Sequence, residues 1–139
     1  MTGGEGVRML QRYPFVSLNT AFLIARIMTA VFFIAHAWVR IANNTIPQFG
    51  KFMESIGLYP GTIWVWAITV TELICGTLLL LGRGVRWATL PLAAIVIGGI
   101  ALIHLHQGWF VGEHGTGGME YSVALLVLLL LVAARDRER

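Results

Sequence analysis

Four long apolar stretches, separated by short polar joints, account for most of the chain. They run from about Leu18 to Val39, Trp64 to Leu81, Trp87 to Leu105 and Met119 to Ala134. Each approaches the ~20 residues that a helix needs to cross a hydrocarbon core of ~30 Å. The pattern predicts an all-α, polytopic membrane protein: a bundle of four transmembrane helices forming one membrane domain over residues 1–139. Between the first two stretches, TIPQFGKFMESIG sets Phe49, Phe52, Met53 and Ile56 at helical spacing. Thr45 stands where an N-cap would, with Gln48 three residues on; Pro47 is in the first turn and Gly57 is the stop. This predicts a short interfacial helix over about 46–56, its apolar stripe on the bundle mouth or the headgroups and Lys51 and Glu54 outward. The joint GRGVR is short enough to make spans two and three antiparallel neighbours.

Composition agrees with the pattern. Of 139 residues, 57% are hydrophobic and 12% charged, which excludes both an ordinary soluble domain and a disordered chain. The net charge of +3 does not call for a nucleic-acid partner, because the basic residues serve as topology signals. Arg8, Arg12, Arg83, Arg86, Arg135, Arg137 and Arg139 flank one face of the spans, and only Arg40 and Lys51 flank the other. The rule that basic loops stay inside puts both termini in the cytoplasm. Ile27 to Ala35 followed by Ala35-His36-Ala37 has the form of a signal-peptide cleavage site, but so long and apolar a leading segment favours an uncut span. Cys75 is the only cysteine, so the chain has no disulfide framework and no thiol pair for exchange.

Ionisable residues within the spans carry the most information, because a central charge costs ~2.5–3.5 kcal/mol on insertion scales. Arg26, Thr29, Ala30, Phe33, His36, Ala37 and Arg40 recur at three and four along span one, as do Thr69, Glu72 and Gly76 along span two. These two faces should meet inside the bundle. Counting 1.5 Å per residue from each span's start brings Arg26 and Glu72 to similar depths and predicts an ion pair between them. It is either a structural lock or a proton-carrying carboxylate held by a fixed charge. Span four has only 14 residues from Tyr121 to Ala134, about 21 Å, which should draw Glu120 inward. His36, His104 and Glu120 would then share a polar pocket open to the outside.

In LIHLHQGWF the two histidines are two residues apart, so on a helix they point about 200° apart. A stripe of small residues, Ala94, Gly98 and Ala101, marks the face for close helix contact. His104 lies about 60° from Ala101 and His106 about 100° on the far side, which favours His104 inward and His106 at the headgroups with Trp109 and Phe110. His36, His104 and Glu120 are also the right types for three zinc ligands, with His114 able to add to them, but no tight motif joins them.

Several of these residues together resemble a known family. Arg26 with His36-Ala37-x-x-Arg40, Phe52-Met53-Glu54-x-x-Gly57 with Pro60, Glu72-Leu-Ile-Cys75-Gly76 closing in Leu81-Gly82, His106-x-Gly108-Trp109-Phe110, and Gly118-Met119-Glu120-Tyr121 are similar in order and kind to the DoxX family of four-helix bacterial membrane proteins. Ala37 stands where that family usually has Gly, and Arg40 where it often has Lys. The resemblance implies a membrane subunit of a sulfur-compound:quinone oxidoreductase, or a protein acting beside soluble redox enzymes. Ligand-binding positions would be Arg26, His36, Arg40, Glu72, His104 and Glu120, with Glu72 or Glu120 exchanging the proton that quinone reduction requires. The cofactor is otherwise open, quinone being one candidate and zinc the alternative. With no C-x-x-C-H, flavin fingerprint or cluster-binding cysteines in the sequence, electrons would come from a soluble or membrane redox partner. Membrane lipid and a further copy of the chain are the other expected partners. Competing readings are a structural or assembly subunit without chemistry of its own, and a small-molecule transporter; whether the chain is an enzyme stays open.

Overall fold

The computed structural model describes residues 11–112 and 117–138, so the expected roles of Arg8, His114 and Arg139 lie outside the described residues. Among the described residues there are five α-helices: α1 (Leu18–Ala42), α2 (Ile46–Ser55), α3 (Gly61–Leu81), α4 (Val85–Leu102) and α5 (Glu120–Arg137), with a 3-10 turn at His104–Gln107. No strand is present among the described residues. Among the described residues three helices, α1, α3 and α4, are long and apolar enough to cross a membrane. In α5, Glu120 opens the helix and Arg135, Asp136 and Arg137 close it, leaving an uncharged stretch shorter than a ~30 Å core.

Local signals explain the ends. Ser17 caps α1 by accepting the Thr20 N–H at 3.2 Å. The α3–α4 joint reverses in three residues because Gly82 (φ 69°) and Gly84 (φ 56°) both take the left-handed conformation. Asp136, from the last turn of α5, accepts the Arg86 N–H at 3.1 Å and so ties down the start of α4.

α2 departs from two expectations. Thr45 makes no capping bond to the helix; its hydroxyl donates back to the Arg40 carbonyl at 3.3 Å. Glu54 does not point outward, because its Oε1 accepts the Gly61 N–H at 3.0 Å and caps α3. Ile46, Gly50 and Met53 form the buried face, while Phe52 and Ile56 of the expected stripe stay exposed. A Cβ at Gly61 would overlap the Gly50 carbonyl, so two glycines let α2 lie directly across the start of α3.

α1 packs mainly on α3, and α5 on α4. Between α1 and α3 the approach is close: a Cβ at Gly76 would meet Ile34 Cγ1 at 2.7 Å and the Ala30 carbonyl at 3.4 Å. The main core gathers Ala30, Phe33, Leu79, Val85, Leu92 and Leu129 from all four long helices. Outside it the surface is equally apolar, with Ile63, Trp87 and Leu130 each about two-thirds exposed, as a lipid-facing surface would be.

Candidate functional site

The predicted stripe of small residues on α4 behaves unlike its α3 counterpart. A Cβ at Gly98 would meet nothing within 4 Å, and Ala94 and Gly98 line a cavity instead of a helix contact. That corrects the expected close packing: where facing side chains are too small to fill the gap, a void remains. The cavity encloses about 500 Å³ between α1, α3, α4 and α5, with Phe49 and Met53 of α2 across one end. Volumes of this order suit a small organic ligand.

Its polar wall begins in the last turn of α1. Arg40 donates from Nη1 to Thr69 Oγ1 and to Glu72 Oε2, both at 2.8 Å. The two charged side chains are 14% and 6% exposed, so the pair is largely withdrawn from solvent. Thr69 is fully buried and passes its own proton to the Val65 carbonyl at 2.7 Å. The Phe49 ring lies under the Arg40 guanidinium, 5.6 Å from it, so the short helix covers the charge as well as the cavity.

The expected Arg26–Glu72 pair is therefore replaced by Arg40–Glu72. Arg26 lies against Gly82, at the end of α3: a Cβ there would fall 2.6 Å from its Nη1. Glu72 is ten residues further into α3 (82 minus 72), about 15 Å away. With Arg26 at the level of the end of α3, α1 overhangs α3 by the eight residues Leu18–Ala25, so depth counted from Leu18 overstates how deep Arg26 sits by about 12 Å.

The histidines separate as their geometry requires. α4 ends at Leu102, short of the expected Leu105, and the tighter turn that follows carries His104 into the cavity wall while His106 is exposed. His104 Nδ1 is buried with no hydrogen-bond partner among the described residues. His36, one turn before Arg40, borders the cavity and is exposed on its other side.

Glu120 is not in the cavity wall. Its Oε1 accepts the Val111 N–H at 2.9 Å, and its own N–H donates to the Trp109 carbonyl at 3.0 Å, so it fastens the segment after the 3-10 turn to the start of α5. An unpaired backbone N–H draws in a carboxylate more strongly than an apolar cavity does. Consequently, among the described residues no three of His, Cys, Asp and Glu come together as a metal would need, and the zinc set of His36, His104 and Glu120 is not assembled. Tyr121 and Ser122, the next two residues, do line the cavity. In the sequence Tyr121 stands out only as part of the family motif and Ser122 not at all, although a phenol and a serine opening an otherwise apolar run are the available signal.

The DoxX family model matches residues 21–105, a stretch holding most of α1, all of α2 to α4 and the Arg40–Thr69–Glu72 network. The chain belongs to the DoxX family. It is a membrane protein of that family, which accounts for its three long apolar helices and its apolar surface. It is 36% identical over 85 residues to a relative in Mycobacterium tuberculosis (strain ATCC 25618 / H37Rv), the uncharacterized membrane protein Rv3486. That alignment covers 59% of this chain and 52% of the relative, so the chain spans about half the length of the curated protein it matches. No solved structure matches it.

Proposed function

We propose that this DoxX-family chain is a four-span subunit of the bacterial inner membrane that holds the head group of a quinone-like, amphiphilic ring compound and works beside a redox partner. The observation that carries the reading is His104 Nδ1, a buried nitrogen without a partner in the wall of an otherwise mainly apolar cavity. Leaving such a group unpaired costs ~1–3 kcal/mol, which a ligand oxygen would recover once the ring turns that edge to the cavity. In the tautomer that protonates Nδ1, His104 donates to a carbonyl oxygen of the ring, with His36 as a second donor. Ala94, Ile95 and Leu102 supply an apolar wall for the ring and the first carbons of its tail. Glu72, held by Arg40, is the carboxylate that faces this space and so the group that exchanges the proton on quinone reduction. Glu120 has no such role here, since its carboxylate is committed to the Val111 N–H.

In this reading α5 is the fourth span. It lies along α4, closes on α1 through the Phe32–Tyr121 edge-to-face contact at 6.3 Å, and lets Arg135 and Arg137 snorkel to the headgroups. The arginine-rich end faces the cytoplasm and α2 lies in the outer interface, over the cavity mouth. A second reading, a purely structural subunit, draws on the Arg40–Thr69–Glu72 network, whose members satisfy one another and would fix the register of α1 on α3 without any ligand.

Mass spectrometry of the gently solubilised protein separates the two. The ligand reading expects an isoprenoid quinone or a related ring lipid to travel with the wild-type chain and to be lost from His104→Ala. A protein that is stable, monodisperse and free of any such molecule supports the structural reading.

A further inference from the structure

At the opposite end of the bundle, 82 minus 72 residues along α3 from the cavity's carboxylate, a second and much smaller hollow opens between α1, α4 and α5. It encloses about 30 Å³ and is lined by Phe22, Leu23, Arg26, Val85, Val132, Arg135 and Asp136. Two of these are arginines, and both Arg26 Nε and Arg135 Nε are buried with no hydrogen-bond partner among the described residues. A guanidinium N–H withdrawn from water without an acceptor is costly, and two around one hollow are more than packing accounts for.

The other groups present narrow what is missing. Asp136, the one carboxylate in the lining, has its Oδ2 on the Arg86 N–H at 3.1 Å, so it is occupied at the start of α4. Arg135 spends Nη2 on the Asn19 side-chain oxygen, comes within 3.9 Å of Glu138 through Nη1, and stacks over Phe22 at 5.6 Å. Its Nε is left over. Arg26 lies against Gly82. The described residues at this end include Arg12, Arg26, Arg83, Arg86, Arg135 and Arg137, against the acids Asp136 and Glu138, so the local field favours an anion. A hollow of this size holds about two water-sized groups, so it takes two oxygens of a phosphate group and not a ring. Phe22, Leu23, Val85 and Val132 provide an apolar flank, and Arg86 stacked on Trp87 at 4.7 Å marks an aromatic-basic belt of the headgroup kind beside it.

We infer that Arg26 and Arg135 form a phosphate seat, in which two oxygens of a phosphate group lie against the two guanidinium groups whose Nε donors lack an acceptor among the described residues. Two sources carry that chemistry: the phosphodiester of an anionic phospholipid in the headgroup layer, or free phosphate. The seat is separate from the cavity reading and does not rest on it.

The test compares the melting temperature of the full chain in nanodiscs of phosphatidylcholine, in nanodiscs where part of that lipid is replaced by phosphatidylglycerol, and in phosphatidylcholine with inorganic phosphate added. A rise with phosphatidylglycerol alone identifies the lipid as the source; an equal rise with inorganic phosphate identifies the free ion. In either case Arg26→Gln and Arg135→Gln each lose the rise, and Arg137→Gln, an exposed cation at the same end, keeps it. The rise also persists when salt is increased, because a seated anion is screened less than a diffuse surface charge. Should Arg26→Gln fail to fold, Arg135→Gln carries the same expectation. No rise in either condition, or equal loss from Arg137→Gln, overturns the seat.

Discussion

Arg40 is the residue on which the site turns. It closes α1, where the helix dipole favours a cation, and reaches across to α3 to satisfy a carboxylate that would otherwise be buried alone. Removing one member of a buried pair is expected to cost ~3–5 kcal/mol, since it strands the other charge. Arg40→Gln and Glu72→Gln should therefore each lower stability in detergent strongly, and the double variant should lose less than the sum, as read from denaturation midpoints in a double-mutant cycle. Arg26→Gln combined with Glu72→Gln should be additive, because those side chains lie about 15 Å apart along the bundle. Coupling of Glu72 to Arg26 and not to Arg40 would contradict the geometry. The carboxylate and the arginine face were legible in the sequence. Which arginine meets the carboxylate was not, because that depends on how far α1 overhangs α3, and no local signal encodes an overhang.

Among the elements, glycines do opposite things on neighbouring helices. Gly61 has the Gly50 carbonyl where its Cβ would be, and a backbone atom cannot step aside, so Gly61→Ala should destabilise by ~1–3 kcal/mol through overpacking. Gly98 has open space there, and Gly98→Ala should stabilise α4 by roughly 0.5–1 kcal/mol through reduced backbone freedom. Equal effects of the two, measured by thermal unfolding in detergent, would remove the distinction. This explains how far the pattern could be read. Apolar length located α1, α3 and α4, and the helical spacing of apolar residues located the short α2, since those follow from periodicity. Whether a small residue admits a neighbour or leaves a void depends on the partner helix, so Gly76 and Gly98 look alike in the sequence and differ in the fold. Glu120 is a similar case. Its depth was estimated from span length, while its actual place follows from a backbone N–H at Val111 that hydrophobic patterning does not show.

For the whole molecule, the open structural claim is that α5 crosses the membrane with the other three. Cys75 is buried, 8% exposed, and gives little background for thiol labelling. If α5 is a fourth span, Val111→Cys should react with an impermeant thiol reagent added to intact cells and Glu138→Cys should react only after lysis. Labelling of both from outside would leave α5 on the surface; the reverse pattern would invert the bundle and put the cavity mouth on the cytoplasmic side. The three-helix apolar signal alone could not decide this, because the charges at both ends of α5 shorten its uncharged stretch below a full core.

Function rests on the cavity being a ligand site and not a packing defect, and the imidazole inside it is the most direct probe. Equilibrium binding of a short-chain quinone to the detergent-solubilised protein should be saturable for the wild type. His104→Ala should weaken it by about tenfold, the loss of one hydrogen bond of ~1.4 kcal/mol. His106→Ala, altering an exposed ring on the same turn, should leave it unchanged. Absence of saturable binding in the folded wild type, or loss of binding in His106→Ala with retention in His104→Ala, would contradict the account.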